Sequence, residues 1–286
     1  MWTATTVEEL RRLRASTPAS VALVPTMGAL HAGHVSLFES ARAAGHAVTV
    51  SIFVNPTQFG PNEDFNRYPR PIEQDLAACR RAGVTAVFHP SVEEIYPPGQ
   101  PECLVTVPAL ADILEGAHRP GHFAGVCRVV AKLFNLVQPD VAYFGQKDYQ
   151  QLRIIEAMAR DLAMPVRIVG CPTVREPQGL AMSSRNAYLT DEQRHQALAI
   201  YRSLGIAKAL VQGRQERDPS VVESAMQREL RDNGLQVDYA VVRDARTLAP
   251  LQRIEPRGSD VVALVAARVG NVRLIDNMVL KPPMST

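Results

Sequence analysis

The chain contains neither Gly-x-Gly-x-x-Gly nor Gly-x-x-x-x-Gly-Lys-Ser/Thr, so the glycine cradles of the dinucleotide-binding and P-loop folds are excluded as its route to a nucleotide. Cysteine is scarce. Cys79, Cys103, Cys127 and Cys171 are widely spaced with no Cys-x-x-Cys pair, which argues against a structural zinc site, gives no disulfide framework and fits a reducing cytoplasm. None of them has the neighbours of a catalytic nucleophile. No run approaches the roughly 18 apolar residues of a membrane helix, and no basic, long-apolar leader precedes Trp2, so no membrane partner is expected. Charge of one sign is missing too. With 31 Lys and Arg against 29 Asp and Glu, the net charge of +2 is too near neutral to argue for a nucleic-acid surface, and Arg11, Arg12 and Arg14 read as a solvated helix face. There is no internal repeat and no low-complexity tract.

What is there is a globular chain of 286 residues, 46% hydrophobic and 21% charged, long enough for a sizeable core and two domains. Strand and helix patterns alternate through the first 170 residues or so. Val21 to Val24, Ala47 to Val54, Val84 to Phe88, Val141 to Phe144 and Val166 to Val169 read as buried strands, with Pro25 ending the first because it cannot donate to a ladder. Helical spacing follows Gly33 until Gly45 stops it, and predicts further helices over Pro71 to Ala82, Gly125 to Val137 and Tyr149 to Leu162. This alternation implies an α/β fold, a Rossmann-like doubly wound parallel sheet whose ligand crevice lies beyond the carboxyl ends of the strands.

After Val174 the pattern changes. Thr190-Asp191-Glu192-Gln193 has the form of a capping box for a helix ending near Gly213, and a second helix spans Pro219 to Asn233. Val237 to Arg243, Asp260 to Val269 and Val272 to Leu280 then alternate as strands, the last two joined by Gly270-Asn271. We expect a domain over residues 1–174 and a smaller C-terminal α+β domain over 175–286.

Seven stretches carry candidate chemistry. Val24-Pro25-Thr26-Met27-Gly28-Ala29-Leu30-His31-Ala32-Gly33-His34 is a strand, a tight turn and a helix N-terminus, where unpaired N–H groups favour an anion. His31 and His34, three apart, fall on one side of a first helical turn, able to hold phosphate oxygens or to serve as a cap and a surface histidine. Asn55-Pro56-Thr57-Gln58-Phe59-Gly60 is a turn whose amides can orient a hydroxylated substrate. Gly116 to Phe123 is either a plain surface loop or a segment whose Arg119 and His122 close over an anion. Gly145-Gln146-Lys147-Asp148-Tyr149-Gln150-Gln151 offers a cation for phosphate and a carboxylate for ribose, or simply a capped helix start. Gly179-Leu180-Ala181-Met182-Ser183-Ser184-Arg185-Asn186 sits near the domain boundary, its hydroxyls and guanidinium suited to a leaving pyrophosphate. Glu63-Asp64 and Glu73-Gln74-Asp75 are carboxylates for magnesium or solvated faces.

His31-Ala32-Gly33-His34 resembles the His-x-Gly-His signature of class I aminoacyl-tRNA synthetases and related nucleotidyltransferases, the HIGH superfamily. With Pro25 to Leu30 in front of it, the stretch resembles the pantothenate synthetase family, ligases that join pantoate to β-alanine using ATP. Gly145-x-Lys147-Asp148-x-x-Gln151 and Met182-Ser183-Ser184-Arg185 match that family, the latter with Ala181 where the tRNA synthetases carry lysine. Arg273-Leu274-Ile275-Asp276-Asn277 is the familiar part of the last hundred residues. The resemblance implies a pantoyl-adenylate intermediate, with AMP and diphosphate released. It implies ATP binding by Met27 to His34, by Gly145, Gln146, Lys147 and Asp148, by the Val174 backbone, and by Met182 to Arg185. It gives pantoate to Gln58 and Gln151 and β-alanine to Gln58, with Asn55, Arg119 and His122 as pocket candidates. His31, His34, Lys147, Ser183, Ser184 and Arg185 would stabilise charge in transfer. Magnesium would be held mainly by ATP, with Asp75 the possible protein ligand, since Gln74 stands where relatives carry a second acid. The family is usually homodimeric and cytoplasmic; 1–174 would be the ATP- and pantoate-binding domain and 175–286 a lid.

Overall fold

A computed structural model describes residues 1–17, 19–61, 63–255 and 259–282. The chain forms two compact units, one of residues 1–146 and 151–172, the other of 147–150 and 173–286.

The first unit is built on six parallel strands: β1 (Trp2–Ala4), β2 (Val21–Thr26), β3 (Ala47–Ile52), β4 (Ala86–Phe88), β5 (Val141–Gly145) and β6 (Arg167–Cys171). Their order is β1-β4-β3-β2-β5-β6, every pairing parallel. Succession runs outward from β2 through β3 to β4, then resumes on the other side with β5 and β6. The switch point therefore lies between β2 and β5, and the sheet is the doubly wound one expected. Both faces are covered, so β2 reads as an apolar run from Val21 to Val24 and β3 is buried from Val48 to Ile52 although Thr49 and Ser51 alternate with its apolar residues. Val24, Val50, Val87 and Val141 form one core with Leu37, Phe38 and Ala41 of α2 (Ala32–Ala43) and Cys79 of α3 (Ile72–Arg81).

Several boundaries shift by one to three residues from the sequence reading, and three differences bear on the sheet. β1 and α1 (Val7–Ala15) precede the strand taken as first; β1 is three residues long with Trp2 exposed, too short to show a period. β2 runs through Pro25, in register with Ser51, to Thr26. The Val21 carbonyl accepts from Asp140 on the β5 side and the Thr26 carbonyl from Phe53 on the β3 side, so Pro25 turns toward β5, where registered pairing stops at Leu23. Its missing N–H leaves no ladder bond unmade. β3 stops at Ile52, two residues early.

After the single turns α4 (Val92–Ile95), α5 (Pro108–Ala111) and α6 (Glu115–His118) comes α7 (His122–Val137), opened by Gly121 at φ +82°. Phe123, Val126, Val130, Leu133, Phe134 and Val137 recur at helical spacing and are all buried, each contributing about 1.5–3 kcal/mol. α8 (Tyr149–Asp161) completes the alternation. The four cysteines are unpaired, and burial pushes the Cys79 thiol up to about 12 and Cys127 up to about 11, so neither is a nucleophile at neutral pH.

In the second unit α9 (Asp191–Lys208) and α10 (Pro219–Asp232) pack with the antiparallel sheet β7-β8-β9: Gln236–Asp244, Val261–Val269 and Val272–Leu280. Thr190 and Gln193 form the expected capping box, and α9 continues through a π turn to Gly213. Gly270 at φ +56° closes the β8–β9 hairpin, with Val269 opposite Val272. Among the described residues no helix is long and apolar enough to cross a membrane.

One close approach positions the site. α7 lies against the turn Pro56–Gln58 at Gly125, where a Cβ would sit 2.7 Å from the Gln58 amide nitrogen and collide with the Thr57 carbonyl. Gly125→Ala is therefore expected to destabilise the fold by about 1–3 kcal/mol and lower the melting temperature by about 2–12 °C. An unchanged melting curve would show that the two backbones do not meet there.

Candidate active site

The turn after β2 depends on one buried carboxylate. Gly28 at φ +84° and Ala29 at φ +50° turn successive N–H groups the same way, and Asp75 receives them: Ala29 N–H donates to Oδ2 at 2.9 Å and Leu30 N–H to Oδ1 at 2.8 Å. A left-handed alanine is strained by the order of 1 kcal/mol, which these charge-assisted bonds offset. A Cβ on Gly28 would lie 2.9 Å from Asp75 Oδ2. Thr26 Oγ1 accepts from the Gly28 N–H at 3.2 Å and donates to the Ser51 carbonyl at 2.8 Å. Asp75 is 2% exposed, so the solvated-face reading of this stretch holds for Glu73 and Gln74 but not for Asp75. Burial raises its carboxyl, against the pull of the Leu30 and Ala29 N–H groups and of His89. Both its oxygens are engaged by backbone, and among the described residues no three His, Cys, Asp or Glu side chains gather as a metal site.

The histidines follow directly. His31 is the N-cap of α2: its Nδ1 accepts from Gly33 N–H at 3.1 Å, while its own N–H donates to His34 Nδ1 at 3.3 Å. This is a capping box made of two imidazoles, with ring centroids 4.1 Å apart. Each Nδ1 accepts, so each neutral ring carries its proton on Nε2. Capping and anion binding, posed above as alternatives, are thus compatible: the cap bonds fix which nitrogen donates.

A second cluster surrounds Gln58. Asn55, 1% exposed, donates from Nδ2 to Gln58 Oε1 at 3.0 Å and to the Gly125 carbonyl at 3.1 Å; Gln58 Nε2 donates to Met27 Sδ at 3.1 Å. The Gln58 carbonyl accepts from His122 Nδ1 at 2.7 Å, and His122 Nε2 accepts from Arg119 at 3.1 Å. Arg119 is gripped by Glu63 through Nε at 2.6 Å and Nη2 at 2.5 Å. In this structure the Arg119 charge is paired with a bidentate carboxylate. Burial alone would raise Glu63, but the Arg119 bonds and charge hold it below the usual range. Burial, then Arg119, drives His122 down to about 4.

Other candidates fall in the second unit. Gln146–Asp148 is a short turn after β5, with Lys147 Nζ 3.8 Å from Asp148 Oδ1. Ser183 caps the turn Ser184–Tyr188, its hydroxyl accepting from Arg185 N–H at 3.3 Å. Met182 N–H donates to the Val174 carbonyl at 3.0 Å, joining the adenine candidate to the Met-Ser-Ser-Arg segment. Lys147, Ala181, Ser183, Asn186 and Asp276 line one recess. Gln151, Gly145 and Gln146 remain with the first unit, as do Met27 to His34. Arg175 was not anticipated as a site builder; Asp75, Glu63 and Asp276 lay in quoted stretches but not for the contacts they make, since nothing local marks a carboxylate for a turn 45 residues away.

A family model, pantoate-beta-alanine ligase, matches residues 2–279. The chain belongs to that family. Among its relatives, the pantothenate synthetase of Moorella thermoacetica is 54% identical over 92% of this chain and 91% of its own, and that of Thermotoga neapolitana 51% over 96% and 98%. The crystal structure of pantothenate synthetase from Thermus thermophilus superposes with a TM-score of 0.91 at 47% identity, covering 97% of this chain and 99% of that one. A pantoate-beta-alanine ligase from Francisella tularensis, complexed with beta-gamma ATP and beta-alanine, gives 0.80 at 34% identity, over 98% and 97%. The chain is accordingly an enzyme, a ligase of pantothenate biosynthesis that joins pantoate to β-alanine.

The His122 environment sets a pH dependence. The folded imidazole stays neutral down to about pH 4, whereas the unfolded one protonates near 6.5, so the unfolded chain binds the extra proton between these values. Stability should fall as pH drops through that window, by on the order of 2–3 kcal/mol from this group. His122→Gln, which keeps a donor for the Gln58 carbonyl, should remove that part of the slope in denaturant titrations from pH 7 to 4.5. An identical slope in the variant would refute the assignment.

Proposed function

We propose that the enzyme uses ATP to activate (R)-pantoate as a pantoyl-adenylate, releasing diphosphate, and then transfers the pantoyl group to β-alanine, releasing AMP. The observation that carries this is the histidine-capped helix N-terminus, whose cap bonds at Nδ1 put the ring protons on Nε2, where they would meet a phosphate as its charge grows. The Francisella tularensis complex with beta-gamma ATP and beta-alanine supports both co-substrates.

A carboxylic acid is ionised at neutral pH, so its attack on the α-phosphorus needs alignment and charge stabilisation more than a base. His31, His34, Lys147, Ser183, Ser184 and Arg185 would supply that stabilisation. Met27 to Gly33, Gly145, Gln146, Asp148, Val174 and Met182 shape the rest of the ATP site, and Gln58 and Gln151 take pantoate, with β-alanine beside Gln58. In the second step β-alanine's ammonium, of pKa about 10, first gives up a proton; the neutral amine attacks the acyl carbon, the acyl–oxygen bond to AMP breaks, and the attacking nitrogen loses a second proton as the amide forms. The Nδ1 bonds of His34 support proton donation from Nε2 over acceptance there. Asn55, Arg119 and His122 act through Gln58.

Magnesium enters as the companion of the ATP phosphates, in keeping with a chain whose carboxylates nearest the turn are already bonded to backbone or arginine. The histidine signature supports membership of the HIGH superfamily. Residues 1–174 would act as the ATP- and pantoate-binding domain and 175–286 as its lid. Family resemblance and four unpaired thiols support a homodimer working in the cytoplasm, on small molecules alone.

Pyrophosphate exchange into ATP should require pantoate and proceed without β-alanine; exchange that needed β-alanine would sink the two-step scheme. Gln58→Ala and Gln151→Ala each leave a desolvated pantoate hydroxyl unpaired, at roughly 1–3 kcal/mol, and should weaken pantoate about 5- to 150-fold with ATP affinity nearly unchanged. Calorimetric titration decides: an equal fall in ATP affinity would move these glutamines to the nucleotide site.

A further inference from the structure

The run Arg273-Leu274-Ile275-Asp276-Asn277 lies on β9, where its burial breaks the alternation of a half-covered strand. Asp276 and Asn277 are consecutive, polar and both buried, at 4% and 6% exposure, although neighbours on a strand face opposite ways. Two such side chains are tolerated in a core only if each is bonded.

Asp276 is held from three directions. Arg175 donates from Nη1 to Oδ2 at 2.5 Å and from Nη2 to Oδ1 at 3.0 Å, and the Asn277 N–H donates to Oδ1 at 2.8 Å. Arg175 is itself immobilised. It donates to the Gly179 carbonyl at 3.0 Å and lies over the Tyr201 ring at 4.5 Å, while Gly179, at φ +104°, has no room for a Cβ beside that ring. Burial raises the Asp276 carboxyl and the Arg175 fork opposes it. What this rigid set delivers is the Asn277 amide, whose Nδ2 donates to the Lys147 carbonyl at 2.8 Å. Two residues on, Tyr149 Oη donates to the Ala245 carbonyl at 2.8 Å. These bonds tie residues 147–150 to the second unit, although the chain on both sides of them belongs to the first.

We propose that Asn277, aimed by the Asp276–Arg175 pair, is a positioning residue that sets the Lys147 backbone and so the placement of its ammonium in adenylation. The inference rests on the reading of Lys147 as a phosphate-stabilising cation. It adds that Lys147, though encoded directly after a strand of the first unit, is registered by the last strand of the second, together with Ser183 on the wall of the same recess.

The test is a double-mutant cycle on pantoate-dependent pyrophosphate exchange in the full-length enzyme, with folding checked by circular dichroism. Lys147→Ala should slow exchange about 100-fold. Asn277→Ala should lower kcat for exchange about 10-fold or more with less than about twofold change in KM for pantoate, and should cost less than about twofold more on the Lys147→Ala background. Asn277→Ser, smaller but polar, serves if the alanine variant does not fold. Equal losses on both backgrounds, or no loss in the native one, would overturn the proposal while Lys147 kept its role. Native exchange in Lys147→Ala would instead overturn the reading of Lys147, and the proposal with it.

Discussion

The acceptance of the Ala29 and Leu30 N–H groups by Asp75 is the interaction on which the first unit's chemistry depends. Without it two consecutive left-handed residues, one of them alanine, have nothing to offset their strain, and the chain does not arrive at His31 ready to start a helix. With it, His31 enters α2 extended, at φ −131°, and its imidazole closes the cap with His34. The order of dependence runs from α3, which carries Asp75, to the turn, to the helix N-terminus, and only then to the donors a phosphate would meet. A buried carboxylate paired with backbone N–H groups is a rigid brace, because leaving either partner unsatisfied costs about 1–3 kcal/mol.

The same logic, an outer group fixing the backbone of an inner one, recurs twice. Glu63 holds Arg119, Arg119 bonds His122, and His122 donates to the Gln58 carbonyl, so the Gln58 amide is presented by a chain of partners none of which need meet substrate. Arg175 holds Asp276, which orients Asn277 toward the Lys147 carbonyl. In each case an arginine is paired with a carboxylate, and the residue on which the relay ends, Gln58 or Asn277, is an uncharged amide. That arrangement suits a site that handles the charges of ATP and pantoate without adding net charge of its own.

How much of this was legible depended on whether a feature was local. The capping box at Thr190 and Gln193, the hairpin at Gly270-Asn271 and the helical stripe of α7 each follow from residues within one turn or one period, and each is present. The doubly wound sheet followed from the alternation, and the histidine motif from its place between glycines. What was not legible was long-range. Asp75 reads as one of several acids on a helix start, and only the fold carries it to residue 29; Asn277 lies 130 residues from the carbonyl it serves. Pro25 was misjudged for a related reason: proline stops a ladder only where a neighbouring strand still asks for its N–H, and whether one does is settled by register. β1, three residues with an exposed tryptophan, had no period to read.

The central claim is that pantoate's own carboxylate attacks the α-phosphorus of ATP at the histidine-capped helix. Its most direct test is a single turnover with pantoate carrying 18O in the carboxylate, followed by mass analysis of the products. Attack at phosphorus makes an acyl–oxygen–phosphorus bridge, and the amine then breaks its acyl–oxygen bond, so one labelled oxygen should leave on AMP. Unlabelled AMP, with the label in diphosphate or inorganic phosphate instead, would contradict the account.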